Sequence, residues 1–480
     1  MKEFQKISVM IFIAVIILNV NLIAQAPDTS WTRLYGRDSD DYAYTILQTA
    51  DDNYIVGGKS YSGSETGFDA YLLKLDENGD TIWTNTFGGS QGEIIYSMVE
   101  GSDDGYVAAG MIGSTTDARK AYIVKVDELG DTVWTTSYPS SRNAVAHYIS
   151  RTSDDGYIVT GEQVVVGRYW EVFILKLAQD GSISWFNTFG GSGTEEGHCI
   201  EQTSDGGYIT CGLTTSFGAG STDLYLIKTD ELGEAVWTRT FGGELSDAAH
   251  AVAQTPDSGY IVAGEIDNPN HGVYAVKTDA FGDTLWTRTY TNNSDIDVCT
   301  SMDLTSDGGY VFGGYTNVPG YNHDFYFVKA NADGDSLWAK TIGHLNYDRG
   351  RCVKQTSDGG YILVGEAPGQ AYDCYIVKLD EDHVGIDEYK LVPDNYKVLS
   401  NYPNPFNAST TISFAIDKPQ HVSLKVYDIM GQEIKTLINT RLDAGMHSIK
   451  FDASDLASGF YLYKLETGEF TECSRMLLLK

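Results

Sequence analysis

The chain has 480 residues and a formal net charge of −33, so its field repels anionic lipid and excludes nucleic acid as a partner. Its 51 glycines and 32 tyrosines favour short strands joined by tight turns, which predicts an all-β protein. Residues 399–480 carry nine acidic and eight basic side chains, so the acidic excess lies in the part of the chain before them.

The N-terminus is typical of a signal peptide, which we assign to residues 1–26. Two lysines precede the apolar run Ile7–Leu18, and a small residue suited to cleavage follows at Ala24. The alternative is a single-span anchor, but Asn19 and Asn21 cut the run short of the about 20 apolar residues that a bilayer needs. We therefore expect export, with no transmembrane segment left after the signal is removed.

A repeat fills the centre of the chain. Each copy contains the same four short strands, joined by Gly-rich loops and by hairpin turns such as Asp205-Gly206-Gly207. Four antiparallel strands in a repeat of this length are typical of a β-propeller blade. The marker is a tryptophan at spacings of 49 to 52 residues, at Trp31, Trp83, Trp134, Trp185, Trp237, Trp286 and Trp338.

The two ends of the repeat array complement each other. The array begins with a lone fourth strand around Trp31, and it ends with a third strand, Tyr375–Lys378, that no Trp strand follows. We expect the Trp31 strand to complete the last blade and to close a seven-bladed β-propeller over residues 27–386.

Residues that recur in every repeat are expected to be structural, because a binding site needs something that the symmetry does not supply. The second strand opens with a tyrosine, and the third strand carries a lysine that we expect to pair with a nearby aspartate. The tyrosines are Tyr54, Tyr106, Tyr157, Tyr208, Tyr260, Tyr310 and Tyr361, and the lysines are Lys74, Lys125, Lys176, Lys228, Lys277, Lys329 and Lys378.

The six cysteines lack metal-type spacing. Cys199 and Cys211 face each other across a predicted hairpin, which leaves open a disulfide formed after export or two buried free thiols.

The segment Asp127–Trp134 resembles the tryptophan-docking motif of quinoprotein-like propellers. The resemblance implies the propeller fold, with the indole packed between adjacent blades. It does not imply the quinone, since many such propellers are scaffolds, although a redox propeller remains a third hypothesis.

After a linker at 387–398, residues 399–480 form a separate module whose alternating strands and Gly turns suit a small Ig-like β-sandwich. It closely resembles the type A C-terminal sorting domain of the type IX secretion system. The resemblance implies partnership with that secretion machinery and an extracellular or outer-membrane location reached through the periplasm. An ordinary accessory domain is the alternative, and Cys473 has no evident role. The implied sorting residues are Asn401, Tyr402, Pro403, Asn404, Pro405, Gly459, Tyr461 and Lys480.

Positions that vary among the repeats mark the candidate binding surface. The loops after the second and fourth strands differ in every copy and share one rim of a propeller. Near that rim, three histidines lie on consecutive blades. They favour either a metal site or a packing role as partly buried polar side chains. Against the metal site, equivalent positions on neighbouring blades can lie too far apart to share one ion. The equivalent innermost-strand residues are Tyr44, Tyr96, His147, His198, His250, Thr300 and Arg351.

Two further features are candidates for binding. Arg168-Tyr169-Trp170 contains the one tryptophan outside the repeat series and suits stacking on a sugar, anchoring of a protein, or local packing. Aspartate-rich turns such as Asp103-Asp104-Gly105 make calcium conceivable, although they lack a full calcium-loop pattern. No other cofactor is predicted.

Catalytic signatures such as a nucleophile elbow, a paired-His zinc motif or a phosphate loop are missing from the sequence. The first hypothesis is therefore a binding scaffold for a polysaccharide or protein. The second is an extracellular polysaccharide hydrolase, endoglucanase-like, with carboxylates at the channel mouth.

Overall fold

The computed structural model describes residues 26–36, 39–61, 67–89, 91–103, 105–113, 119–138, 143–165, 169–267, 271–292, 296–317, 323–343, 347–368, 371–382, 397–402, 406–416, 419–428, 431–442, 445–467 and 471–480. The predicted signal peptide, apart from Ala26, and most of the predicted linker lie outside them. The chain divides into two compact units, Gln25–His383 and a unit that contains Val384–Lys480.

The first unit consists of seven four-stranded antiparallel sheets, as the repeat predicts. Blade 1 contains β2 (Asp41–Gln48), β3 (Tyr54–Tyr61), β4 (Phe68–Leu75) and β5 (Thr81–Phe87). Blade 2 contains β6 (Glu93–Glu100), β7 (Tyr106–Ile112), β8 (Lys120–Val126) and β9 (Thr132–Ser137). Blade 3 contains β10 (Ala144–Arg151), β11 (Tyr157–Val164), β12 (Trp170–Leu177) and β13 (Ile183–Phe189). Blades 4 and 5 contain β14 (Glu195–Gln202), β15 (Tyr208–Thr214), β16 (Asp223–Thr229) and β17 (Ala235–Phe241); β18 (Asp247–Gln254), β19 (Tyr260–Ile266), β20 (Gly272–Thr278) and β21 (Thr284–Tyr290). Blades 6 and 7 contain β22 (Asp297–Leu304), β23 (Tyr310–Asn317), β24 (His323–Ala330) and β25 (Ser336–Ile342); β26 (Arg349–Gln355), β27 (Tyr361–Pro368), β28 (Tyr372–Leu379) and β1 (Thr29–Tyr35).

The ring closes through the N-terminal strand. β1 pairs with β28, with Trp31 opposite Lys378, and so supplies the outer strand of blade 7. The inner strands of successive blades contact one another around the ring, including β26 of blade 7 and β2 of blade 1. Across that junction the Ser357 backbone N–H donates to Gln48 Oε1 at 2.7 Å.

The repeated tryptophans connect adjacent blades. In six interfaces the indole packs against the tyrosine that opens the second strand of the next blade, with ring centroids 5.5–6.4 Å apart. The indole also covers a turn glycine of that blade. Gly181 has φ +79°, and a Cβ there would lie 2.7 Å from Cε3 of Trp134, so glycine is required.

The predicted lysine–aspartate pairs form in six blades. The pairs are Lys125–Asp103, Lys176–Asp154 (3.0 Å), Lys228–Asp205 (3.0 Å), Lys277–Asp257 (2.8 Å), Lys329–Asp307 (2.8 Å) and Lys378–Asp358 (2.8 Å). The prediction is wrong for Lys74, whose Nζ instead lies 5.9 Å from the ring centroid of Tyr106. The nearby Asp51 accepts hydrogen bonds from Thr49 and Asn53.

The cysteines of the first unit are free in the described residues. Cys199 and Cys211 are directly opposite each other in β14 and β15, and both are buried. The structure therefore has the free-thiol alternative rather than the disulfide.

The second unit contains two sheets. One consists of β29 (Lys397–Tyr402), β30 (Ser409–Ile416) and β33 (Gly445–Asp452), and the other of β31 (Gln420–Asp428), β32 (Glu433–Leu442), β34 (Gly459–Thr467) and β35 (Thr471–Leu478). Both sheets contribute to one core, with Phe414 and Phe451 from the first and Leu424 and Tyr463 from the second. The Ig-like connection stays a prediction. In the described part of the chain no helix is long and apolar enough to cross a membrane.

The ion pair of Lys329 predicts an asymmetric response to mutation. Lys329 is fully buried, and its Nζ donates to Asp307 and to the Ala330 carbonyl. Asp307→Ala should lower the free energy of unfolding by about 2 kcal/mol, because it leaves a buried ammonium without its counter-ion. Lys329→Met should cost less, since it removes that charge and keeps the volume. Urea unfolding of both variants tests this, and an equal or larger loss from Lys329→Met would contradict it.

Candidate functional site

A β-bulge lies in the inner strand of every blade, and it falls on the sequence-predicted positions. In each pairing of a first with a second strand, the register skips one residue. A bulge leaves its extra residue out of the ladder and re-aims the side chain. The skipped residues are Tyr44, Tyr96, His147, His198, His250, Thr300 and Arg351.

These seven side chains line one cavity of about 210 Å³. Neighbouring rings lie next to one another around its wall. The centroid distances are Tyr44–Tyr96 5.3 Å, Tyr96–His147 5.6 Å, His147–His198 5.7 Å and His198–His250 4.9 Å.

Each imidazole lies beside one carboxylate. The nearest distances are His147 Nε2–Glu162 Oε1 3.7 Å, His198 Nε2–Glu196 Oε2 3.3 Å and His250 Nε2–Glu265 Oε1 3.8 Å. The sequence analysis missed these glutamates. Glu162 and Glu265 occupy equivalent positions opposite the second residue before the bulge residue, so a register-based comparison of second strands would have found both.

The pKa values of two stacked histidines shift in opposite directions. Burial lowers the pKa of His198, but the hydrogen bonds to Glu196 and to the Ala249 carbonyl, at 2.7 Å, outweigh burial and raise it. Burial lowers the pKa of His250. Hydrogen bonds from the imidazoles lower the pKa of Glu196 and Glu265, so both carboxylates are ionised at neutral pH.

The opposite side of the cavity mouth is cationic. Arg351 donates two hydrogen bonds to Glu366, at 3.0 and 2.6 Å. Lys59 Nζ lies 4.4 Å from the ring centroid of Tyr42 and 4.0 Å from that of Phe68. Burial lowers the pKa of this lysine.

The cavity floor carries a second set of ionisable groups that the sequence analysis did not select. Glu201, Asp303 and Lys354 each follow the bulge residue of their strand by three positions and line the same cavity. Lys354 Nζ lies 3.2 Å from Asp303 Oδ1, and this carboxylate raises the lysine pKa. Burial raises the pKa of Glu201 to about 7.

The remaining candidates lie outside the cavity. Tyr169 is 64% exposed, Trp170 begins β12 half-buried, and Arg168 is not among the described residues. Of the predicted calcium turn, Asp103 pairs with Lys125 and Asp104 is not described. Within the described ranges, no group of three or more His, Cys, Asp or Glu residues is arranged to hold a metal ion.

The predicted sorting residues lie at both ends of the second unit. Asn401 and Tyr402 end β29, and Pro403, Asn404 and Pro405 are outside the described residues. Directly after them, the Phe406 N–H donates to the Leu477 carbonyl at 2.9 Å, which ties this segment to the C-terminal strand.

At the other end, Gly459 begins β34, and the Tyr461 hydroxyl donates to the Ala457 carbonyl at 2.8 Å. The Lys480 N–H donates to Ser458 Oγ at 3.0 Å.

The raised pKa of Glu201 predicts a pH-dependent stability. A carboxyl whose pKa is higher in the fold than the ordinary 4.5 destabilises the fold as pH rises from about 4.5 to about 7. Glu201→Gln removes this penalty. The gain in free energy of unfolding of the variant over wild type should therefore be larger at pH 8 than at pH 4.5, by on the order of 2 kcal/mol. Ser150→Ala, at the equivalent position of blade 3, serves as the control without a titrating group. Parallel curves for wild type and Glu201→Gln would contradict the assignment.

No curated protein matches this chain. Among solved structures, it is similar to Sqt1 from Chaetomium thermophilum, with 14% identity over 69% of this chain and 83% of the other and a TM-score of 0.42. It is also similar to PorZ, a surface component of the type-IX secretion system of Porphyromonas gingivalis. The identity is 10% over 94% of this chain and 100% of the other, with a TM-score of 0.26. A third similar structure is the β-propeller domain of the Trilobed protease from Pyrococcus furiosus. The identity is 8% over 72% of this chain and 98% of the other, with a TM-score of 0.41.

Residues 400–479 match the family model of the secretion system C-terminal sorting domain. The match confirms the resemblance found in the sequence. The chain therefore carries a type IX sorting tail behind a β-propeller, and that tail implies export to the cell surface or beyond.

Proposed function

We propose that the protein is a binding scaffold that crosses the periplasm and is displayed on the cell surface or released, with a polysaccharide or protein as its ligand. The observation that carries the proposal is the convergence of seven bulge residues on one cavity. At about 210 Å³ the cavity is smaller than the about 300 Å³ at which small-molecule pockets begin. It suits one group of a larger ligand whose remainder spreads over the rim.

The side chains of the cavity support binding because they combine ring faces with fixed polar groups. Tyr44 and Tyr96 offer faces for stacking, and Arg351 is held in place by two hydrogen bonds. The outer-loop residues Tyr169 and Trp170 are a second contact region of the same rim.

A binding test separates the cavity from the outer loop. The purified chain is assayed by polysaccharide depletion, glycan array and peptide array. Tyr96→Ala should weaken binding at least tenfold, because it removes a ring from the cavity wall, whereas Trp170→Ala should change it less. Thermal midpoints show whether both variants are folded. A loss confined to Trp170→Ala would move the site to the outer loop, and no binding to any array would overturn the scaffold.

Hydrolysis of a polysaccharide is the second candidate function, and one observation favours it. Glu201 and Asp303 line one cavity with different charge states, since burial raises the pKa of Glu201 to about 7 while Asp303 pairs with Lys354. A protonated acid beside an ionised carboxylate is what a two-carboxylate glycosidase needs. Release of oligosaccharides in the depletion assay, abolished by Glu201→Gln, would replace the scaffold with a hydrolase.

The sorting tail predicts a localisation defect. A chain without residues 399–480, expressed in a host with a type IX secretion system, should accumulate in the periplasm, because the propeller retains the N-terminal signal but lacks the tail. Fractionation and surface labelling measure this. The full chain in a host without that system is the matched control, and surface display of the truncated chain would contradict the role of the tail.

A further inference from the structure

Charged side chains of opposite sign lie beside the lining residues on two sides of the cavity mouth, and Arg351 itself lines the cavity. The anionic arc consists of Glu162, Glu196 and Glu265, and the cationic arc of Lys59, Arg349 and Arg351. We propose that the mouth binds a polypeptide segment that presents a basic group to the anionic arc and an acidic group to the cationic arc. The inference rests on the proposed scaffold function and names its ligand class.

The anionic arc is suited to an ammonium or guanidinium group. Its three carboxylates each lie beside an imidazole, and no described lysine or arginine lies within salt-bridge distance of them. Glu265 and Glu196 keep 41% and 31% of their side-chain surface exposed, so a ligand can reach them. The net charge of −33 also steers cations toward the protein.

Tyrosine faces hold the cations of the opposite arc. Lys59 and Arg351 flank the ring of Tyr44, each 5.7 Å from its centroid. The guanidinium of Arg349 lies 5.6 Å from the ring centroid of Tyr315.

Two of these cations have no carboxylate partner among the described residues. Arg351 is neutralised by Glu366, but no described carboxylate lies within salt-bridge distance of Lys59 or Arg349. Arg349 Nε donates to His323 Nδ1 at 3.1 Å instead. In a chain with this excess of acid, two cations near the mouth that have no described carboxylate within salt-bridge distance point to an acidic group on the ligand.

A polypeptide matches this arrangement better than a polysaccharide. Successive side chains of a peptide supply both signs of charge, whereas most acidic or amino polysaccharides repeat one sign. The ring of Tyr96 lies between the arcs and offers an apolar face to the peptide between its charged groups.

The test uses the full chain and synthetic ten-residue peptides that carry basic residues alone, acidic residues alone, or both at opposite ends, with fluorescence anisotropy as the readout. Mixed-charge peptides should bind most tightly, and raising the salt concentration should weaken them. The double variant Glu196→Gln/Glu265→Gln should weaken mixed and basic peptides about tenfold, and Lys59→Met/Arg349→Met should weaken mixed and acidic peptides about tenfold. Arg239→Met removes an equivalent charge on β17 away from the mouth and is the matched control.

Three outcomes would overturn the inference. Equal affinity for single-sign and mixed peptides would remove the two-sign requirement. Binding to polysaccharide with none to peptides would overturn the ligand class while keeping the scaffold. Binding to neither would overturn the scaffold as well. Near-UV circular dichroism and the single variants Glu265→Gln and Lys59→Gln separate a lost contact from a lost fold.

Discussion

The pairing of β1 with β28 is the constraint on which the rest of the first unit depends. Without it, blade 7 lacks its outer strand, and Trp31 cannot pack against Tyr54 of blade 1. The closed ring also brings β26 beside β2, which completes the wall of the cavity between Arg351 and Tyr44. A contact between strands far apart in sequence thus determines whether the binding positions meet.

The bulges explain how a symmetric scaffold supports an asymmetric site. The backbone irregularity repeats in all seven blades, but the residue it presents differs, from Tyr44 through three histidines to Arg351. Because the ladder on either side is unchanged, the side chain at the bulge can vary without disturbing a blade. The structure of a blade and the chemistry of the cavity therefore depend on different residues of the same inner strand.

The periodic parts of the fold were predictable from sequence, and the side-chain neighbours of the bulge residues were not. The Trp31 strand and the unpaired Tyr375–Lys378 strand predicted closure, because each end lacked what the other had. Aligning the copies also identified the bulge residues. Their neighbours were missed: Glu162 is placed beside His147 by a register that shifts at the bulge, and Glu201 reaches the cavity from three residues farther along its strand. The pair predicted for Lys74 did not form where Asn53 replaces the glycine of the other copies and its amide donates to Asp51.

The order in which the strands are synthesised has a consequence for folding. The strand Thr29–Tyr35 is made first, yet its partner Tyr372–Leu379 is made after six complete blades, so closing the ring is a late, high-contact-order step. Until the ring closes, β1 is unpaired. Once synthesis ends, blade 7 also has an open edge at β28. Two unfinished copies can complete each other by exchanging these strands, which is a low-cost route to domain swapping. The yield of monomer should therefore fall as the concentration of unfinished chains rises.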